Sequence, residues 1–138
     1  MDVNKESANL EAANFGNLPP SPRLGAILLV DDTRETRLMT KWFLDYVGYV
    51  VHAFSSAEDA LVHFDPKVHD LVVTDNSMPM MTGAEMAHII KLRSPSTPVL
   101  MFTGAAPKDR SCLDVVIEKP GSLPMLKDAI DLLLAARR

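Results

Sequence analysis

The sequence has little cysteine, few aromatic residues and no excess of basic charge. A single cysteine, Cys112, excludes an intramolecular disulfide and fits a reducing cytoplasm. The chain has fourteen Lys and Arg residues and eighteen Asp and Glu residues, so it lacks the basic surface that binding to a nucleic-acid backbone requires. It also lacks an apolar run long enough for a signal peptide or a membrane span. We therefore expect a cytoplasmic globular protein that binds neither nucleic acid nor membrane.

The length of 138 residues and the hydrophobic content of 47% fit one globular domain. Residues 1–23 are mostly polar and include the run PPSP, so we predict a disordered N-terminal extension there. The folded domain is expected over residues 24–138. Since no output domain is expected beyond its last helix, a single-domain protein is predicted.

Five short apolar runs in the folded part are typical of buried strands. They cover residues 26–30, 49–54, 70–74, 98–102 and 114–118. Apolar residues recur at helical spacing between most of these runs and after the last one. Strands this apolar are buried on both faces, so the order predicts an α/β fold with a parallel sheet and helices on each side.

The first predicted helix carries more apolar residues than one buried stripe needs. Met39, Phe43 and Val47 form the expected stripe toward the core, whereas Leu38 and Trp42 lie off it. This helix is therefore expected to expose apolar surface, although a Trp42 folded against the core is an equally good interpretation.

Polar residues follow four of the predicted strands. Asp31 and Asp32 come after the first strand, Asp75 after the third, Thr103 after the fourth and Lys119 after the fifth. Each alone is an ordinary turn, cap or surface residue. Because ligands of such sheets bind at the carboxyl ends of the strands, we expect all five side chains at one edge.

Three carboxylates and one ammonium sum to a charge of about −2, and like charges this close require a cation or raised pKa values. No histidine or cysteine falls at the strand ends, which favours Mg²⁺ over zinc or iron. Beside such an ion, an Asp carboxylate can act as a nucleophile toward phosphorus.

These motifs together resemble the response-regulator receiver domain of two-component signalling. The resemblance rests on the Asp31-Asp32 pair, the stretch DNSMPMMTG from Asp75, Thr103 before a small residue, and Lys119-Pro120. It extends from about Leu24 to the C-terminus and implies a flavodoxin-like sheet in the order 2-1-3-4-5. It further implies that Asp75 accepts a phosphoryl group from the phosphohistidine of a histidine kinase or a histidine phosphotransfer protein.

The resemblance also assigns roles to the remaining site residues. Asp32 would bind Mg²⁺ directly and Asp31 mostly through water, with Asp75 and the backbone carbonyl of Ser77 completing the protein ligands. Thr103 and Lys119 would contact oxygens of the phosphoryl group, and the Lys119-Pro120 bond would be cis. Such a domain is no enzyme with a separate substrate, but a phosphoacceptor that assists its own phosphorylation and dephosphorylation and acts on a downstream protein. The family's first helix docks onto the kinase.

Three positions depart from the family pattern. Val116 stands where an aromatic residue usually moves on activation, Thr82 where an acid or amide precedes the loop glycine, and Gly121 where Phe follows the proline. Residues 104–113 are also too few for an ordinary crossover helix, because Gly104 and Pro107 leave room for about one turn. The fourth helix should therefore be short or absent, and we predict a mobile loop that Thr103 draws toward the phosphoryl group.

Two other functions that this kind of sheet supports do not fit the sequence. A haloacid-dehalogenase phosphohydrolase needs a second Asp where this chain has Ser77, and a flavin or nucleotide module needs a phosphate loop where it has Asp31-Asp32-Thr33-Arg34. The remaining alternative is a receiver-fold interaction module that acts without phosphorylation.

Overall fold

The structure is a computed structural model that describes residues 24–137, so the predicted extension over residues 1–23 lies outside the described residues. The strands are β1 (Ala26–Val30), β2 (Val50–Phe54), β3 (Leu71–Thr74), β4 (Val99–Thr103) and β5 (Val115–Glu118). The helices in the described range are α1 (Arg34–Tyr46), α2 (Ala57–His63), α3 (Gly83–Arg93) and α4 (Leu123–Arg137).

All five strands pair in parallel, in the order β2-β1-β3-β4-β5. This order confirms the predicted flavodoxin-like fold. The register pairs Val30 with Thr74, so the residues that follow them, Asp31 and Asp75, leave the sheet side by side.

The core has two halves, one on each face of the sheet. Ile27 and Leu29 of β1 join one half, while their neighbours Leu28 and Val30 join the other. This alternation follows from the two-residue period of a strand. The first half packs against α1 and α4 residues such as Leu44 and Leu126, and the second against residues of α2 and α3. Strands β1, β3 and β4 thus bury both faces, as the sequence pattern predicts, whereas the edge strands β2 and β5 are only partly buried and expose His52 and Glu118.

The inward face of helix α1 agrees only in part with the predicted stripe, of which Phe43 and Val47 pack against the core. Thr40 and Leu44 are its buried residues, whereas Met39, placed in the predicted core stripe, is 61% exposed. The prediction for Met39 was therefore wrong, because the apolar residues of this helix outnumber the positions that its buried face provides. Trp42 is 59% exposed, which confirms the expected apolar surface on this helix.

The chain crosses from β4 to β5 without a helix, which confirms the prediction of a short or absent fourth helix. The crossover is anchored at its end by Asp114, whose Oδ2 accepts hydrogen bonds from the Val99 backbone N–H (2.7 Å) and from Lys91 Nζ (2.8 Å). Cys112 and Leu113 pack against the second half of the core. That residues 104–113 are mobile stays a prediction, which amide exchange with and without Mg²⁺ and beryllofluoride would test.

Within residues 24–137, no helix combines the length and the apolar character needed to cross a bilayer.

A buried histidine makes folding stability depend on pH. His69 is 3% exposed, and its Nδ1 accepts a hydrogen bond from the Asp65 backbone N–H (3.1 Å). Its Nε2 therefore carries the proton and donates to Nδ1 of His52 at 2.9 Å. Burial, and then the neighbouring His52, lower the pKa of His69 below its ordinary value of 6.5, against smaller opposing effects of Asp65 and Asp70.

We expect the free energy of unfolding to fall as the pH drops below 6.5, because the unfolded chain then takes up a proton that folded His69 resists. Urea unfolding at pH 7.5 and at pH 5.5 measures this loss. His69→Gln should show a smaller loss than the wild type. His63→Gln, which changes an exposed histidine at the end of α2 and leaves His69 in place, should retain the loss that His69 causes. Equal losses in wild type and His69→Gln would contradict the assignment.

Candidate functional site

The strand ends bring the predicted polar residues to one edge of the sheet. Asp31, Asp75 and Lys119 directly follow β1, β3 and β5, and Thr103 is the last residue of β4. The Lys119 backbone N–H donates to the Thr103 carbonyl at 2.8 Å, which extends the pairing of β4 and β5 to the edge. The side chains expected to meet there do meet, while their individual roles stay predictions.

Asp75 has one oxygen held by hydrogen bonds and one directed toward a cation. Oδ1 accepts from the Asn76 backbone N–H and from Thr103 Oγ1, both at 2.6 Å. Oδ2 lies 3.8 Å from Lys119 Nζ, and among residues 24–137 it accepts no hydrogen bond. The carboxylate is only 12% exposed, so its orientation is fixed by these neighbours.

The two aspartates after β1 differ in environment. Asp31 is buried, and its carboxylate accepts from the Thr33 backbone N–H (3.0 Å) and the Thr36 hydroxyl (2.8 Å). Asp32 is exposed. Asp31 is therefore fixed in place by α1, whereas Asp32 presents its carboxylate to solvent at the mouth of the site.

Lys119 is the cation of the cluster. Its Nζ lies 4.0 Å from Asp31 Oδ2 and 3.8 Å from Asp75 Oδ2, and 5.3 Å from the centre of the Phe102 ring. The side chain is 28% exposed, so water still reaches the ammonium. The Lys119-Pro120 peptide bond is cis, which confirms that prediction.

The donor set fits a hard divalent cation. Asp31, Asp32 and Asp75 each offer an oxygen, and the three oxygens lie within 4.8 Å of one another. One ammonium beside three carboxylates leaves an excess of negative charge, and oxygen ligands of this kind suit Mg²⁺. Ser77 lies exposed in the loop after β3, and the role of its carbonyl stays a prediction.

The loop from β3 to α3 is closed by Thr82 and Gly83. Thr82 Oγ1 accepts from the Glu85 backbone N–H, and the Glu85 carboxylate accepts from the Thr82 backbone N–H, which makes a capping box. Thr82 thus caps the helix at the position where the family usually has an acid or amide. Gly83 follows because the chain passes so close to Asp75 that a Cβ there would lie 2.0 Å from the Asp75 carbonyl oxygen.

Gly121, another departure from the family pattern, also has a steric cause. A Cβ at this position would lie 2.7 Å from Cγ2 of Ile117. Beside it lies an open groove of about 350 Å³ that reaches Lys119. The residues that line the groove are Thr36, Met39, Thr40, Phe102, Lys119, Pro120, Gly121 and Leu123.

Sequence reasoning missed Asn76, which joins three parts of the site. Besides its backbone contact with Asp75, its Oδ1 accepts from the Ala84 backbone N–H of α3 (3.1 Å) and its Nδ2 donates to the Ala105 carbonyl (3.0 Å). The Ala105 backbone N–H in turn donates to Thr103 Oγ1 at 3.1 Å. An asparagine after a strand is an ordinary turn residue, so the sequence carried no specific signal for this role.

Residues 27–131 match the family model described as the response regulator receiver domain. The chain is 29% identical over 133 residues to the sensor protein EvgS of Escherichia coli (strain K12), a match that covers 92% of this chain and 11% of EvgS. It is 30% identical over 115 residues to the aerobic respiration control sensor protein ArcB of the same strain, covering 78% of this chain and 15% of ArcB. The chain thus spans only a small part of the length of these relatives.

Solved structures of response regulators also match this chain, over nearly their own full length. The response regulator protein TrrA of Thermotoga maritima, crystallised in complex with Mg²⁺-BeF, has a TM-score of 0.74 and 26% identity, covering 80% of this chain and 99% of TrrA. A CheY-like receiver domain protein of Methanospirillum hungatei JF-1 has a TM-score of 0.77 and 28% identity, covering 83% of this chain and 96% of the other.

Proposed function

The chain belongs to the response regulator receiver domain family of two-component systems, and we propose that Asp75 is its phosphoacceptor. The phosphoryl donor is the phosphohistidine of a histidine kinase or of a histidine phosphotransfer protein in the cytoplasm. The observation that carries the proposal is the state of Asp75, with Oδ1 held by two donors and Oδ2 left facing Lys119.

The geometry supports a separate role for each of three side chains at the site. Asp75 Oδ2 attacks the phosphorus, and the phosphohistidine nitrogen leaves. Lys119, already 3.8 Å from that oxygen, is placed to pair with an oxygen of the incoming phosphoryl group. The Thr103 hydroxyl, now donating to Asp75 Oδ1, can donate to a phosphoryl oxygen instead. The product is an aspartyl phosphate, and the domain acts on no separate substrate.

The three carboxylates would hold Mg²⁺, together with the Ser77 carbonyl. When bound, the ion supplies positive charge that offsets the negative charge of the transferring group. Without such charge, the acidic cluster repels an anionic donor. Asp32 is the exposed member, and no residue of 24–137 holds its carboxylate by a hydrogen bond as Thr33 and Thr36 hold that of Asp31, so it can turn toward the ion.

Acetyl phosphate tests the proposal without a partner protein. With Mg²⁺, the intact mass of the chain should rise by one phosphate, and the added mass should map to the peptide that contains Asp75. Excess chelator should prevent the addition. A chain that gains no phosphate under any of these conditions would instead favour the interaction module that acts without phosphorylation.

Helix α1 offers a docking surface for the phosphodonor protein. Trp42 and Tyr46 stack on its exposed side with ring centres 5.7 Å apart, and they are 59% and 78% exposed. The helix begins at Arg34, two residues after Asp32, so the aromatic pair lies on the helix that starts at the acidic edge. An exposed apolar surface of this kind favours contact with another protein.

Trp42→Ala should slow phosphotransfer from a histidine kinase or phosphotransfer protein by about 10-fold, because a large aromatic contact is lost. Labelling by acetyl phosphate should not change, since Trp42 does not touch the acidic cluster. Leu132→Ala, which removes an apolar side chain from α4 that is even more exposed (72%), serves as the matched control. An equal loss in both labelling reactions would show that Trp42 supports the fold and not docking.

A further inference from the structure

A second set of reactive side chains lies outside the strand-end cluster, between α3 and the β4–β5 crossover. Sγ of Cys112 lies 3.2 Å from Nδ1 of His88, and Nε2 of the same ring lies 3.4 Å from Oδ2 of Asp109. A nucleophile beside a base that a third group orients is the arrangement by which activated thiols are recognised.

The contacts settle which ring nitrogen carries the proton. The carboxylate of Asp109 can only accept, and its Oδ1 already accepts from the Ser111 backbone N–H at 3.0 Å. Hydrogen bonds from Ser111, with a smaller effect of His88, hold the pKa of Asp109 below its usual range. Nε2 therefore holds the proton and donates to Asp109, which leaves the Nδ1 lone pair facing the thiol of Cys112.

The cluster is open to small solutes. The side chains of His88 and Asp109 are 51% and 64% exposed. Cys112 is half-buried, and like Leu113 it packs against the second half of the core on the side away from solvent. The sulfur is thus held at a fixed distance from its base while one side of the cluster remains accessible.

We propose that Cys112 is a modification site for small oxidants of the hydrogen peroxide class, with His88 as its base and Asp109 as a positioning residue. His88 Nδ1 takes the thiol proton, and the thiolate sulfur attacks one peroxide oxygen while the O–O bond breaks. The leaving hydroxide takes the proton back from the imidazolium and departs as water. The sulfur is oxidised by two electrons to a sulfenic acid, and the peroxide is reduced to water.

Because the chain has one cysteine, a thiol-specific adduct can be assigned to Cys112 from the intact mass. The test measures the rate of alkylation by iodoacetamide at pH 7 for the folded chain, for the same chain in urea, and for His88→Gln and Asp109→Asn. The folded wild type should react about 10-fold faster than the unfolded chain, and His88→Gln should lose that advantage. Asp109→Asn should lose part of it, and His63→Gln should lose none.

Peroxide oxidation is followed with dimedone, which traps a sulfenic acid as a stable adduct. The variants should rank in the same order by their rate of dimedone adduct formation as by their rate of alkylation. Equal rates for folded wild type, unfolded wild type and His88→Gln would overturn the proposal. Since these reactions require no phosphorylation of Asp75, their outcome is independent of the proposed phosphoacceptor function.

Discussion

Asp75→Asn is expected to lower phosphoryl labelling by about 1,000-fold or more, because it removes the nucleophile itself. The amide is nearly isosteric with the carboxylate, so Oδ1 can still accept from Asn76 and Thr103 and the fold should persist. Labelling is measured from the intact mass after reaction with acetyl phosphate and Mg²⁺, and circular dichroism checks the fold.

A carboxylate outside the site provides the control for this experiment. Asp45 is on α1 and pairs with Lys41 at 2.6 Å, so Asp45→Asn removes a comparable charge without touching the cluster. It should label at the wild-type rate. Labelling that persists in Asp75→Asn at the wild-type rate would show that another residue is the acceptor.

The parallel sheet and the composition of its edge could be predicted because each depends on a strong local pattern, whereas the strand order 2-1-3-4-5 was implied only by the family resemblance. Strands as apolar as residues 26–30 and 71–74 can only be buried on both faces, and that requirement selects a parallel sheet with helices on each side. Once the strands are parallel, Asp31, Asp75 and Lys119 lie at the same edge of the sheet, since each follows a strand directly.

The inward face of α1 could not be predicted in the same way. Periodicity locates a helix, but the rotation of the helix depends on which residues the sheet beneath it can accommodate. The sheet accommodates Thr40 and Leu44, which leaves Met39 and Trp42 at the surface. A buried threonine among several apolar residues gives no sign of this choice in the sequence.

Hydrogen bonds to backbone groups could not be predicted from the sequence either. The Asn76 side chain forms hydrogen bonds with the backbone of Ala84 in α3 and of Ala105 in the crossover. The side chains of these two alanines take no part, so their identity in the sequence does not indicate the contact. The missing crossover helix was predictable from residue count alone, but these bonds were not. The hydrogen bonds of Asn76 connect Asp75 to the β4–β5 crossover, which begins directly after Thr103. Strand β5, which follows the crossover, has Val116 where the family usually has an aromatic residue.

Gly83→Ala is expected to destabilise the fold by about 3 kcal/mol, a large effect for one methyl group. The new Cβ would lie 2.0 Å from the Asp75 carbonyl oxygen and 3.0 Å from Thr74 Oγ1, and a backbone oxygen cannot move aside as a flexible side chain can. Alanine is the better helix former by about 1 kcal/mol, but the steric cost exceeds that gain. Urea unfolding gives the free energy, and acetyl phosphate labelling should slow as well because the displaced carbonyl belongs to Asp75.

Gly104→Ala is the matched control, since it adds the same methyl group directly after Thr103. A Cβ at Gly104 meets no atom within 4 Å, and the residue has no positive φ. This variant should be neutral, or more stable by about 0.4–1 kcal/mol through the smaller entropy of the unfolded chain. The contrast separates a steric requirement at Gly83 from a general need for glycine near the site. If the two variants unfold with the same free energy, the close approach of α3 to Asp75 does not hold the acceptor in place.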